Sequence, residues 1–325
     1  MKYRIIGNKD LEVSEIGLGT WPLSGKLSIN ELPFSYGDVS KKIAYSVLEK
    51  AYENGINIFD SSDFYGLGKS EYYISEVFKD VKDIIVITKA GYIPDGIYGT
   101  ITDISYNHIL ASVNRSLNRL KRSFIDIFLI HVPPVTLNQW YDAKKAIQYL
   151  KKNGLIKFSG ISVGAGFNSL KNILPDPDVQ IVEAHYNLLF RDIEKKLLAD
   201  LKKYEIGLIV ASPLSRGVLS EKSYHKRIFD KSDVRNRWKN NNSQFLKLLN
   251  NSELIKEFCR KYKISISGLA LSYLLKNDSV KSIVPGIKSV DYLTKNIEEV
   301  YDFRYSKEIF NMLDELLHKI ETTND

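Results

Sequence analysis

The stretch VSKKIAYSVLEKAYENGINIFDS, residues 39–61, decides how this chain folds. Its first part repeats at helical spacing: Ile43, Val47, Leu48 and Ala51 fall on one face, and Gly55 stands where a helix ends. Its second part, INIFDS at 56–61, is a short run bounded by polar residues that reads as a buried strand. The same alternation extends in both directions. Strand candidates lie at 15–21, 56–61, 84–89, 125–131, 157–163, 181–186, 206–212 and 282–287. Helical patterns fall near 40–53, 69–79, 105–121, 138–152, 191–203, 266–276 and 289–298, with a weaker one near 168–173. Runs that are apolar on both faces and joined by helical crossovers argue for parallel strands covered by helices. Eight such units predict an α/β fold, a (β/α)8 TIM barrel, with residues 1–325 forming one domain.

Three pieces stand outside the repeat. KYRIIGNKDLEVS near the start reads as a hairpin turning at Asn8-Lys9-Asp10, placed to cover one end of the barrel. A long polar connection runs over about 213–250, with a further helix near 252–262, and a connection of that length is usually functional or partly disordered. KEIFNMLDELLHKI near the C-terminus reads as an added amphipathic helix.

Composition narrows the class. Apolar residues make up 44% and charged residues 26%, the balance of a globular protein, and no run approaches a membrane span or a signal peptide. Cys259 is the only cysteine, which excludes an intramolecular disulfide and fits a reducing, cytoplasmic setting; its helix places it among packing residues. The net charge of +7 is spread along the chain, apart from the basic stretch 222–239. That stretch carries no stacking, zinc or helix-turn-helix signature, so nucleic acid is not expected and a phosphate-bearing small molecule explains it at least as well. No metal-ligand motif is present, and nothing in the sequence speaks of oligomeric state.

Active sites of (β/α)8 barrels lie at the carboxyl ends of the strands. There the sequence places Asp60 and Tyr65 after the second strand, Lys89 ending the third, His131 ending the fourth, Ser162 on the fifth, and Glu183, His185 and Asn187 on or after the sixth. A tyrosine with an ordinary pKa of about 10 is a poor acid unless something stabilises its phenolate. Lys89 supplies that stabilisation, Asp60 keeps the lysine charged and oriented, and His131 positions a substrate oxygen. Such a set protonates a developing alkoxide and calls for a hydride donor rather than an attacking water. Two phosphate motifs fail: GLGKS at 66–70 has Asp63 where a phosphate-binding loop needs glycine, and Gly17-x-Gly19 is followed by Pro22 where the open-sheet dinucleotide fingerprint needs its third glycine.

The chain resembles the aldo-keto reductases. The similarity is carried, in order, by IGLGTW (16–21), GINIFDSSDFYG (55–66), Ser70-Glu71, VITKAG (86–91), FIDIFLIHVPP (124–134), GLIKFSGISV (154–163), HYNLLFR (185–191), ASPLSRGVL (211–219) and VPGIKS (284–289). The resemblance implies a catalytic tetrad of Tyr65, Lys89, Asp60 and His131. It implies NADP(H), with NAD(H) as the alternative, contacted by Gly19, Thr20, Trp21, Ser162, Glu183, Ser212, Pro213, Leu214, Gly217, Lys222, Gly286, Lys288, Ser289 and Asn296. Ser162, its following neighbour and a residue of the next strand would hold the nicotinamide carboxamide. Lys288 and Ser289 would meet the 2′-phosphate and Asn296 the adenine, while Ser212 to Leu214, rather than Tyr186, would stack on the nicotinamide.

The chain departs from the pattern at Val163, where the family usually has Asn, at Glu183, where it usually has Gln, and at Tyr292, where Arg or Gln is common. The implied reaction is reversible reduction of an aldehyde or ketone to an alcohol, with a small-molecule carbonyl or sugar as substrate. Two alternatives stay open at this stage: a sugar or sugar-nucleotide dehydrogenase, and a nucleotide-binding regulatory subunit with little turnover. The pocket lining is expected from Trp21, Pro133, Pro134 and parts of 215–243.

Overall fold

The computed structural model describes residues 1–6, 11–97, 99–164, 166–222, 224, 227–236, 243–302 and 304–322. Eight parallel strands pair in chain order: β1 (Leu18–Gly19), β2 (Ile58–Asp60), β3 (Ile85–Ala90), β4 (Ile125–Ile130), β5 (Ile156–Ser162), β6 (Ile181–His185), β7 (Gly207–Ala211) and β8 (Val280–Val284). The ring closes where Ile16 bridges Ile283 and Gly19 bridges Gly286. There Gly17 N donates to Ile283 O at 2.8 Å and Gly19 N to Pro285 O at 3.0 Å. All eight strand candidates therefore enter one barrel.

Alternation along the strands sorts the side chains into two layers. Ile58, Ile85, Ile87, Ile127, Leu129, Ile181, Ile209 and Val284 pack together inside the ring, whereas Phe59, Val86, Phe128, Val182 and Val210 belong to the layer beneath the helices. Gly160 is required by this closeness, because a Cβ there would stand 1.8 Å from Ile181 O. The antiparallel hairpin Tyr3–Ile6 with Leu11–Ser14 adds Ile6 and Val13 to the interior cluster. Its turn at Asn8-Lys9-Asp10 lies outside the described residues.

The helices are α1 (Lys41–Glu53), α2 (Lys69–Val77), α3 (Tyr106–Leu120), α4 (Leu137–Lys152), α5 (Asp192–Lys196), α6 (Leu198–Lys203), α7 (Ser243–Tyr262), α8 (Ile266–Leu275), α9 (Val290–Val300) and α10 (Lys307–Thr322). In α1, Ser40 caps the N-terminus by accepting from Ile43 N, and Gly55 (φ +83°) follows its C-terminus. The buried stripe is Ala44, Val47, Leu48 and Ala51; Ile43, expected on that face, is 46% exposed at its edge.

Three helix expectations need correction. The pattern at 191–203 divides at Leu197 into α5 and α6, that at 168–173 yields only the 3-10 turn Asn168–Leu170, and that at 252–262 is the second half of the longer α7. Cys259 packs in the core from α7, and burial pushes its thiol up to about 12. Among the described residues no helix is long and apolar enough to cross a membrane.

Two small ribbons were not anticipated: Ser28–Ile29 with Leu32–Pro33, and Tyr92–Asp95 with Gly99–Thr102. Both lie in connections that follow barrel strands, β1 and β3 respectively.

Candidate active site

Strand alternation, which fills the ring with aliphatic side chains, also aims the polar residues. One inward step beyond Ile58 is Asp60, beyond Ile87 is Lys89, beyond Leu129 is His131, and beyond Ile181 is Glu183. These four positions meet where the aliphatic layer ends.

Lys89 is the centre of the group and is fully buried. Its Nζ donates to Asp60 Oδ1, to Ser61 O at 3.1 Å and to Tyr65 Oη at 3.3 Å, and it pairs with Glu183 Oε2 at 3.2 Å. Burial works against the ammonium charge, but Asp60 and Glu183 outweigh it and hold the lysine above its ordinary value. Burial, then Glu183, pushes Asp60 well above the carboxylate range against the pull of Lys89. Burial likewise raises the Tyr65 phenol, with Lys89 as the chief opposing influence. The phenol therefore carries its proton at neutral pH.

Tyr65 is positioned by a compact connection. Its ring stacks on Trp21 at 5.8 Å and meets the His131 ring edge-on at 5.9 Å. Ser70 N donates to Tyr65 O at 3.2 Å, and Ser61 Oγ donates to Ser70 Oγ at 2.8 Å. The fully buried Glu71 fastens this segment from below by accepting from Thr88 Oγ1 at 2.5 Å and from Arg119 Nε at 2.6 Å. Burial, followed by the nearby Glu71, pushes Asp63 up to about 7.

The imidazole of His131 is held neutral, first by burial and then by the Lys89 charge. Its Nδ1 lies 3.0 Å from Ser62 Oγ, so a bond to a ligand falls to Nε2. His185, on β6, is lowered to about 4 by burial and then by Arg216.

Above these residues opens a cavity of about 900 Å³. It is bounded by the catalytic candidates Tyr65 and His131 and by Gly19, Trp21, Ser162, Glu183, Ser212, Pro213, Leu214, Gly217, Lys222, Gly286, Lys288, Ser289 and Asn296, which are all but one of the expected cofactor positions. Thr20 is not among them: it is buried, with Oγ1 donating to Asp60 O at 2.7 Å beside Ser70 Oγ.

Val163 packs in the layer beneath the helices and gives the cavity no side chain, leaving Ser162 and Glu183 as that end of the site. Ser162 Oγ donates to Glu183 Oε1 at 2.8 Å, and Glu183 Oε2 has no hydrogen-bond partner although it is buried. Tyr186 also points away, its hydroxyl donating to Glu194 at 2.5 Å. Pro133 and Pro134 do not line the cavity; Tyr92 and Thr100 of the unanticipated hairpin do.

Segments after β1, β7 and β8 are laced together across the opening. Val234 N donates to Ser35 O at 2.8 Å, and Lys288 Nζ donates to Tyr36 O at 2.5 Å. Arg235 pairs with Asp233 at 2.6 Å and lies 4.9 Å over the Tyr36 ring. Lys222 lies 5.5 Å over the Tyr292 ring. Ser212, Ser215 and Arg216 all hold positive φ (53°, 46° and 56°), a conformation costly for non-glycine residues and concentrated at functional sites.

Arg216, Arg227 and Arg235 join the lining here, although sequence reading singled out none of them. Arg216 falls in the ASPLSRGVL motif, and Arg227 and Arg235 in the basic stretch 222–239, part of which lies outside the described residues; all three lie within 215–243, where lining was expected without a named residue. No group of three or more His, Cys, Asp or Glu side chains that could hold a metal ion occurs among the described residues.

Residues 15–318 match the Aldo/keto reductase family. The chain is 28% identical over 310 residues to the uncharacterized oxidoreductase YqkF of Bacillus subtilis (strain 168), covering 95% of this chain and 94% of that one. It is 26% identical to the NADH-specific methylglyoxal reductase of Escherichia coli (strain K12), over 91% and 93% of the two chains. The holo form of aldo-keto reductase AKR11C1 from Bacillus halodurans superposes with a TM-score of 0.76 at 24% identity, over 97% of this chain and 96% of that one.

Proposed function

The chain belongs to the aldo/keto reductase family of oxidoreductases, and we propose from its site that it reduces an aldehyde or ketone reversibly, with NADP(H) as the preferred cofactor. The observation that carries this reading is Tyr65 Oη at 3.3 Å from Lys89 Nζ, with Asp60 beneath and His131 alongside, at the floor of a cavity large enough for a nucleotide. Glu183 Oε2, ion-paired with Lys89 at 3.2 Å but without a hydrogen bond, could accept from a carboxamide N–H₂, and Ser162 stands beside it. Lys288, Ser289 and Lys222 would meet phosphate, and Asn296 the adenine. Reduced nicotinamide supplies the hydride when bound.

The chain's own residues do the rest. His131 holds the carbonyl oxygen through Nε2, close to Tyr65. As negative charge grows on that oxygen, the Tyr65 hydroxyl gives it a proton, since an alkoxide is a stronger base than a phenolate. Lys89 provides the phenolate with a counter-charge as it forms, and Asp60 keeps that charge in place. The aromatic walls Trp21, Tyr36 and Phe64 exclude water from the reacting atoms.

Purified protein would be mixed with NADPH or NADH and a panel of aldehydes, ketones and sugars, following loss of the reduced cofactor. We expect turnover with NADPH at a lower KM than with NADH. Tight binding of either nucleotide without turnover on any carbonyl would overturn the enzymatic reading in favour of a regulatory one.

A further inference from the structure

Lys89 is one cation between two carboxylates. Asp60 and Glu183 are each under a tenth exposed, and both stand within ion-pair reach of the same Nζ. With every group ionised, the floor of the cavity would hold a net negative charge in a space walled by Ile58, Ile87, Leu129 and Ile181. Two carboxylates sharing a site do not both ionise readily, and such a pair titrates as a unit.

The remaining groups facing Glu183 do not neutralise the excess. Ser162, from β5, offers a neutral hydroxyl to Oε1, and Oε2 has no hydrogen bond. Tyr65, after β2, is an uncharged phenol, and His185, beyond Glu183 on β6, is neutral at ordinary pH. Arg216, after β7, lines the cavity and acts on His185, and His131, beside Tyr65, is neutral.

We propose that Asp60 and Glu183 share one proton around Lys89 in the cofactor-free protein, and that this proton is released when an oxidised nicotinamide binds but not when a reduced one does. The oxidised ring carries a positive charge and the reduced ring none. A cation in the cavity takes over the role of the shared proton, the remaining carboxyl ionises, and the proton passes to solvent. This part rests on the cofactor reading above. The shared proton itself does not.

Two measurements separate them. The first is infrared spectroscopy of the cofactor-free protein at neutral pH in an Asp63→Asn background, which removes the other carboxyl held high among the described residues. We expect a carboxylic-acid carbonyl band that disappears in Glu183→Gln and again in Asp60→Asn. A parent without the band, or a band that survives Glu183→Gln, overturns the shared proton.

The second is calorimetric titration with NADP⁺ and NADPH in two buffers of different ionisation enthalpy, which counts protons directly. We expect about one proton released with NADP⁺ and none with NADPH, so NADP⁺ affinity rises up to about tenfold per pH unit while NADPH affinity stays flat. Glu183→Gln abolishes the release. Equal proton counts for the two oxidation states overturn the coupling. Should neither nucleotide bind, the proposed function falls and the infrared band alone decides on the proton.

Discussion

Replacing Lys89 by Met keeps an unbranched chain of similar length and removes the ammonium that lies 3.3 Å from the Tyr65 hydroxyl. At that distance, with an effective dielectric of about 20, an ammonium and a full phenolate attract by about 5 kcal/mol. With roughly half the charge developed in the transition state, about 2.5 kcal/mol is lost, a fall of about 10² in the rate of the chemical step. The buried carboxyls also lose their cation. Breaking such a pair costs about 3–5 kcal/mol, less where Asp60 and Glu183 take up protons instead of remaining charged. The melting temperature should therefore drop while the fold survives. Single-turnover stopped-flow, following NADPH fluorescence at saturating carbonyl, reads the chemical step; circular dichroism and a thermal melt read the fold. A folded Lys89→Met protein whose single-turnover rate falls less than about fivefold would refute the assigned role of the lysine.

Tyr65→Phe should lower the same rate by about 10²–10⁴, yet leave NADPH affinity unchanged in a fluorescence titration, because the ring keeps its contacts with Trp21 and His131; a parent-like rate would remove Tyr65 from the chemistry. Asp63, at about 7 when folded and near 3.8 when unfolded, binds more protons in the native state across that window, so the parent loses stability as pH rises from about 4 to about 7. Asn does not titrate, so the melting temperature of Asp63→Asn relative to the parent should climb over the same interval; a constant difference would show that Asp63 is not held up by its surroundings.

The barrel was legible because a strand buried on both faces must be apolar throughout. That constraint left INIFDS, IDIFLIH and their counterparts visible in the chain. Shorter structures carry no such constraint. The Tyr92–Asp95 hairpin contains Pro94 and turns through Gly96, so its sequence reads as loop even though Tyr92 ends up on the cavity wall. Residues 191–203 have an unbroken helical pattern, and nothing local announces the break at Leu197, which is buried beside α5 and α6. Pro133 and Pro134 follow the end of β4 after just two residues and still miss the cavity, where His131 is the residue aimed inward. Arg235 becomes visible only once Asp233 bridges Ser35 across the barrel mouth, a contact between residues about two hundred positions apart in the chain.

The same limit bears on the site itself. Asp60, Lys89 and Glu183 can each be read from strand ends, but that one Nζ serves both carboxylates depends on the lateral register that sets Asp60 beside Ile87, Leu129 beside Lys89 and Ser162 beside Glu183. That register has a consequence for turnover. Lys89 Nζ donates both to Tyr65 Oη at 3.3 Å and to Asp60 Oδ1 and stands 3.2 Å from Glu183 Oε2, which links the phenol to the carboxyl pair. In the proposed reaction Tyr65 gives up its proton, and its phenolate would have to recover one before the next cycle. If Asp60 and Glu183 share a proton as proposed, the cation that hydride transfer leaves behind would destabilise it, and Lys89 would relay it by donating to Tyr65 and then accepting from the pair. Glu183→Gln removes that source while leaving the Tyr65–Lys89–Asp60 contacts in place. Its effect should therefore fall on multiple turnover and its pH dependence rather than on the first single turnover, opposite to the effect of Tyr65→Phe.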